Sequence, residues 1–242
     1  MIVVLWYIPL GLLTLLLCIL VRRRAYGSYP WFFSYVAFGV LADLSRFVTH
    51  SNPKSYYAAY WVTEAGYDVL GILVMYEVLR AAAGNLTRAR WVRLTFPAIF
   101  AAGVGLSLAR SHSSSTEFSH GFAFYIVAGE VAVRFVQVFI FAGLVSSIPL
   151  LGLRWRQYPF GIAAGFGLYA TVSLLVTAKL SDFGTRFMFL FNAVSLVAYS
   201  LAVLIWIWFF SAPQKVETPK AEMSAPSPGD LKQYKDALRR MR

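Results

Sequence analysis

Asp43, Arg46, Glu64, Asp68, Glu130 and Arg134 lie inside stretches apolar enough to cross a bilayer. A charge at membrane depth is costly, so each of these side chains asks for a partner or a function. Asp43 and Arg46 are three residues apart, and Glu130 and Arg134 are four apart in the favourable acid-first order. Both pairs can therefore close within their own helices. Glu64 and Asp68 then remain, one helical turn apart. Two close carboxylates in a low dielectric do not both ionise cheaply, which predicts a shared proton or a bound cation. The alternative pairing sends Arg134 across to Asp68 and leaves Glu130 to a ligand.

The spacing of the neighbouring polar residues gives these groups a common direction. Residues at i, i+3, i+4 and i+7 share a helix face. One such face carries Val36, Gly39, Asp43, Arg46 and His50; another carries Tyr57, Trp61, Glu64, Asp68, Gly71 and Met75. A third carries Ala123, Val127, Glu130, Arg134 and Gln137, and a fourth Asn192, Ser195 and Tyr199. Lipid-facing surfaces do not carry such lines cheaply, so the four faces are predicted to point toward each other or toward a wet cavity. At 1.5 Å of rise per residue, Glu64 and Asp68 lie ~10 and ~16 Å from the start of their helix, Asp43 ~10 Å from one end of its own and Glu130 ~13 Å. These depths put the polar groups in one half of the bundle. Beyond Asp68 and Arg134 the same faces offer only Gly71, Met75 and Gln137, so the other half is predicted to be dry. Glu77 falls about 180° from Asp68 on its helix. It is predicted to be an interfacial partner of Arg80 or Arg93.

The elements that must hold these faces are membrane helices. The chain has 242 residues, 59% hydrophobic and only 14% charged, with a mean hydropathy of +0.62. Soluble domains are about a quarter charged. The apolar residues come in blocks near the ~20 residues that a spanning helix needs. Seven spans are predicted, at residues 2–21, 31–50, 57–80, 94–109, 121–146, 160–179 and 187–210. The first has no basic residue ahead of it and no small-residue cleavage site after it, and reads as a retained helix. With the N-terminus outside, sixteen Lys and Arg residues fall in inner segments and four in outer ones. That asymmetry sets the orientation and makes the C-terminus cytoplasmic. Trp31, Tyr57, Trp91, Trp206 and Trp208 read as interfacial anchors at span ends. Gly161 and Gly165 form a small-xxx-small face suited to close packing between helices of the same chain.

Residues 1–210 are thus expected to be a seven-helix transmembrane bundle, all-α and polytopic. Residues 211–228 are Pro-rich and polar, a composition of disordered linkers. Residues 229–242 suit a short basic amphipathic helix or tail, with Lys232, Lys235, Arg239, Arg240 and Arg242 around an apolar stripe. That tail is predicted to engage anionic lipids of the inner leaflet or a cytoplasmic partner.

The net charge of +11 is accounted for by the cytoplasmic loops. No basic run is interleaved with aromatics as stacking on nucleic acid requires, so nucleic acid is not an expected partner. Cys18 is the single cysteine, which rules out an intrachain disulfide and a thiol metal site. His112, Glu117 and His120 are the one candidate metal set, at spacings that fit no standard site. No metalloprotease, serine-hydrolase or phosphate-loop motif is present, and no nucleophile–base pair stands out. No catalytic residue and no cofactor is therefore assigned.

Seven helices with an outside N-terminus invite comparison with rhodopsins. The last span contains no lysine for a retinal Schiff base, so a retinal protein is excluded. The segments RRRAYGSYPWFFSYVAFGVL and YWVTEAGYDVLGILVMYEVLR resemble a group of small bacterial integral membrane proteins with no assigned activity. The resemblance covers the first three spans. It implies a helical fold and a bacterial cytoplasmic membrane, not a reaction. The leading functional expectation is a receptor-like or solute- or ion-binding module with an outward-facing polar cavity. Proton- or ion-coupled transport is the second, and a purely structural role for the buried ion pairs is the third.

Overall fold

The structure is a computed structural model and describes residues 2–83, 101, 105, 122–151, 158–183 and 188–212. Residues Met1–Ala212 form one compact unit. Its described elements are helical: α1 (Ile2–Arg22), α2 (Pro30–Thr49), α3 (Pro53–Ala83), α4 (Phe122–Leu151), α5 (Tyr158–Phe183) and α6 (Met188–Ser211), with a 3₁₀ turn at Ala25–Gly27. The span expected at 94–109 lies outside the described residues apart from Ala101 and Gly105. The expected linker beyond Ala212, the basic tail and the candidate metal set of His112, Glu117 and His120 also lie outside them.

Local chemistry explains where the helices begin. Pro30 occupies the first turn of α2, where its missing N–H costs nothing. Asn52 caps α3: its side-chain oxygen accepts the Lys54 N–H at 3.1 Å and the Ser55 N–H at 3.4 Å. That cap, with Pro53 as first helical residue, starts α3 four residues ahead of the expected Tyr57. The α1–α2 connection reverses through Arg24, whose φ of 53° places a side-chain-bearing residue in the left-handed region. Its neighbour Arg23 donates to the Ser211 carbonyl at 2.7 Å and so satisfies the C-terminal end of α6.

Among the described residues, four helices are long and apolar enough to cross a membrane, over Pro30–Thr49, Gly129–Ser146, Tyr158–Ala178 and Phe189–Ser211. The chain is accordingly a multi-pass membrane protein. α3 is not among the four although it has 31 residues; Glu64, Asp68 and Glu77 interrupt it. The surface agrees with a lipid environment. Val48, Val62, Leu175, Phe189 and Trp208 are each at least 60% exposed, where a soluble protein would turn polar groups outward.

The helices close into a ring in chain order. α1 packs on α2, α2 on α3, α3 on α4, α4 on α5, α5 on α6, and α6 back on α1, while α3 also reaches α5. The ring is filled unevenly. Its hydrophobic core runs through Leu13, Leu16 and Leu20 of α1, Val74, Met75 and Val78 of α3, Val136 and Ile140 of α4, Ile162 and Phe166 of α5, and Trp206 and Phe210 of α6. All of these lie in the half of the bundle that ends at Arg22–Arg24. Rings of Phe32, Tyr35, Phe166 and Trp206 meet there at centroid separations of 4.8–6.5 Å.

Two sequence expectations are revised in this half. Arg93 lies outside the described residues, and Glu77 makes no ion pair with Arg80. It accepts the Trp31 N–H at 3.2 Å and the Phe32 N–H at 3.0 Å, and thereby caps the otherwise unsatisfied first turn of α2 with a negative charge. Tyr29 sits beside this cap, against Tyr158 and Phe210. Burial, then the nearby Glu77 carboxylate and Tyr158, push its phenol up to about 12, so it stays neutral at physiological pH. Trp206 is not an interfacial anchor: it is 1% exposed and donates its indole N–H to the Ile162 carbonyl at 3.2 Å. Trp208, two residues and about 200° further round the helix, is the exposed member of the pair. Gly161 and Gly165 pack inside the chain, as their spacing suggests, with Phe209 and Trp206 filling the space a Cβ would need.

Candidate functional site

The other half of the ring is hollow. A cavity of about 610 Å³ lies between the helices, from Tyr35 at its base to His50 and Tyr56 beside the α2–α3 turn. Its volume is that of a small-molecule pocket, which typically spans ~300–1,000 Å³. The polar faces read from helical spacing meet here. α2 contributes Asp43, Arg46 and His50, α3 Glu64 and Asp68, α4 Glu130, Arg134 and Gln137, and α6 Asn192, Ser195 and Tyr199.

Arg46 does not pair with Asp43 on its own helix. Its guanidinium crosses to α3, where it donates to Glu64 at 2.9 Å and to the Thr63 hydroxyl at 2.9 Å from Nε. Thr63 Oγ1 donates in turn to the Ala59 carbonyl at 2.8 Å, which orients it as an acceptor for Arg46. The Arg46 cation also lies 5.0 Å from the Tyr60 ring centre and 5.9 Å from that of Tyr67, an arrangement that stabilises a partly desolvated guanidinium. The second arginine follows the local expectation. Arg134 ion-pairs with Glu130 one turn earlier and also donates to Ser173 of α5. It lies 5.5 Å from the Tyr169 ring centre.

Both guanidiniums are thus engaged, each by one carboxylate, one hydroxyl and at least one aromatic face. Asp43 and Asp68 have no ion-pair or hydrogen-bond partner among the described residues. Asp68 leans on α4 where Gly129 makes room: a Cβ at Gly129 would stand 3.3 Å from Asp68 Oδ2. Gln137 is 5% exposed, and its Oε1 has no hydrogen-bond partner among the described residues. The Tyr199 hydroxyl is likewise buried; it neighbours Tyr67 without reaching hydrogen-bond geometry.

Sequence spacing missed a set of tyrosines. Tyr35, Tyr56, Tyr60, Tyr67 and Tyr169 all line the cavity. Tyr56, Tyr60, Glu64 and Tyr67 follow one another at steps of four, four and three, the same signal that marked the acids. Tyr169 and Ser173 are one turn apart on α5, a helix with no charge on that face to draw notice. No protein-family model, curated protein or solved structure matches the chain.

Proposed function

We propose that the chain is a receptor-like or solute-binding module of a bacterial cytoplasmic membrane, with seven spans, its N-terminus outside and its cavity open to the exterior. The distribution of arginine and lysine supports this orientation, because the densely basic segments follow the end of the bundle opposite the cavity. The Pro-rich linker and basic tail couple that inner end to anionic lipid or a cytoplasmic partner.

The observation that carries the reading is the cavity itself. It is large enough for a small molecule, and it gathers polar side chains from four helices. A buried network that only set helix register would need no such volume. Transport requires a path onward from the cavity. Tyr35, Phe166 and Trp206, each no more than 5% exposed, close the base against it, so binding without passage is favoured.

A thermal-unfolding screen of detergent-solubilised protein against small solutes and ions tests the reading. At least one solute should raise Tm in the wild type and fail to do so in Glu64→Gln/Asp68→Asn. If no solute acts on either form, the ion pairs are left with a structural role alone. Orientation is tested separately in a Cys18→Ser background. A membrane-impermeant maleimide should label Ser51→Cys in intact cells and Ala212→Cys only after lysis.

A further inference from the structure

We propose that the solute is an organic ammonium ion: a primary amine carried on an aromatic or branched apolar body, held by Asp68 and Gln137 where α3 meets α4. This inference rests on the solute-binding reading above and names the class of solute.

The unclaimed groups of the cavity share one chemical sense. Asp43 and Asp68 are carboxylates without a partner cation, since Arg46 is committed to Glu64 and Arg134 to Glu130. Gln137 Oε1 is a buried acceptor with no donor among the described residues. A carboxylate and an amide oxygen accept hydrogen bonds and offer none. The complement to this set is therefore a positively charged group with several N–H bonds, and an unmatched buried acceptor strongly rewards a ligand that supplies one.

The two acceptors lie on one helix–helix seam. Gly71 follows Asp68 by three residues on the same face of α3, and the Gln137 amide nitrogen stands 3.3 Å from where a Gly71 Cβ would be. Asp68 in turn rests against Gly129 of α4. Asp68 and Gln137 thus both lie on the α3–α4 seam and both line the cavity.

Other candidate occupants fit less well. Among the described residues no three His, Cys, Asp or Glu side chains are grouped to hold a metal ion. A lone proton on Asp68 would leave Gln137 Oε1 unserved and the volume unfilled. An organic cation meets the charge and the acceptors with its head and fills about 610 Å³ of tyrosine-lined space with its body.

Calorimetric titration of the full chain in nanodiscs with four probes of one shape tests this: phenethylamine, phenethyltrimethylammonium, phenethyl alcohol and hydrocinnamate. Phenethylamine should bind, the alcohol and the carboxylate should not, and the trimethylated cation should bind more weakly because it has no N–H to give. Asp68→Asn should weaken phenethylamine about ten- to a hundredfold. Gln137→Met should remove the preference for the primary amine over its trimethylated form, a readout that stands if Asp68→Asn does not fold. The inference is overturned if phenethylamine gives no heat, if the alcohol or carboxylate binds as tightly, or if both variants leave amine binding unchanged. Binding of the alcohol or carboxylate would preserve a solute-binding module with a different ligand. Silence to all four probes would sink the amine, and the broader Tm screen decides the module independently.

Discussion

The Arg46 guanidinium on α2 donates to the Glu64 carboxylate on α3 at 2.9 Å, in the wall of the cavity. Both side chains are about four-fifths buried, so the pair is screened far less than one on a surface. Removing one partner strands the other in a poor solvent. Glu64→Gln and Arg46→Gln are each expected to destabilise the bundle by about 1–3 kcal/mol. The double variant should cost less than their sum, with a coupling of about 0.5–3 kcal/mol in reversible detergent unfolding. Strict additivity would mean that Arg46 is held by Thr63 and its tyrosines instead.

Glu77 does a different job from the other acids of α3. It accepts two N–H groups at the start of α2, and it is not among the residues that line the cavity. Glu77→Ala should destabilise by about 1–3 kcal/mol while solute binding stays intact. Hydrogen exchange localises the effect: the Trp31 and Phe32 amides should lose protection first. Uniform loss of protection across all helices would contradict a local capping role.

Gly165 faces the Trp206 indole without room for a further carbon. Gly165→Leu should lower stability by about 1–3 kcal/mol through overpacking and quench differently from wild type in tryptophan fluorescence. The oligomeric state seen by light scattering should not change, since this glycine face is already covered from within. A shift in mass with unaltered stability would instead make the face an intermolecular seam.

Gly129→Ala separates folding from binding. Alanine in a helix interior is favoured over glycine by about 0.5–1 kcal/mol, so the variant should unfold no earlier than wild type. Its new methyl group would sit 3.3 Å from Asp68 Oδ2 and displace that carboxylate by a fraction of an ångström. Phenethylamine affinity should fall severalfold as measured by calorimetry. Unchanged affinity would place the ammonium site away from Asp68.

The helices and their polar faces were legible in the residues because helical periodicity is local. A step of three or four residues fixes which side chains share a face, whatever the rest of the chain does. The Glu130–Arg134 pair, which needs no second helix, appears as its spacing dictates. The starts of helices were less legible: α3 begins at Pro53 because Asn52 supplies a side-chain cap, and an apolar-run criterion gives such a cap no weight. Partners across helices depend on which faces meet and at what height, and a single sequence leaves both open. Arg46 had an acid three residues away and took Glu64 on α3 instead, because ring closure brings α3 alongside and Thr63 adds a second acceptor. Glu77 faced away from the cavity by its periodicity, yet only α2 lying against α3 turned it into a cap. The split of the ring into a packed half and a hollow half is also tertiary. The large rings meet at one height, with glycines of α5 giving way to Phe209 and Trp206, and this leaves the other height hollow.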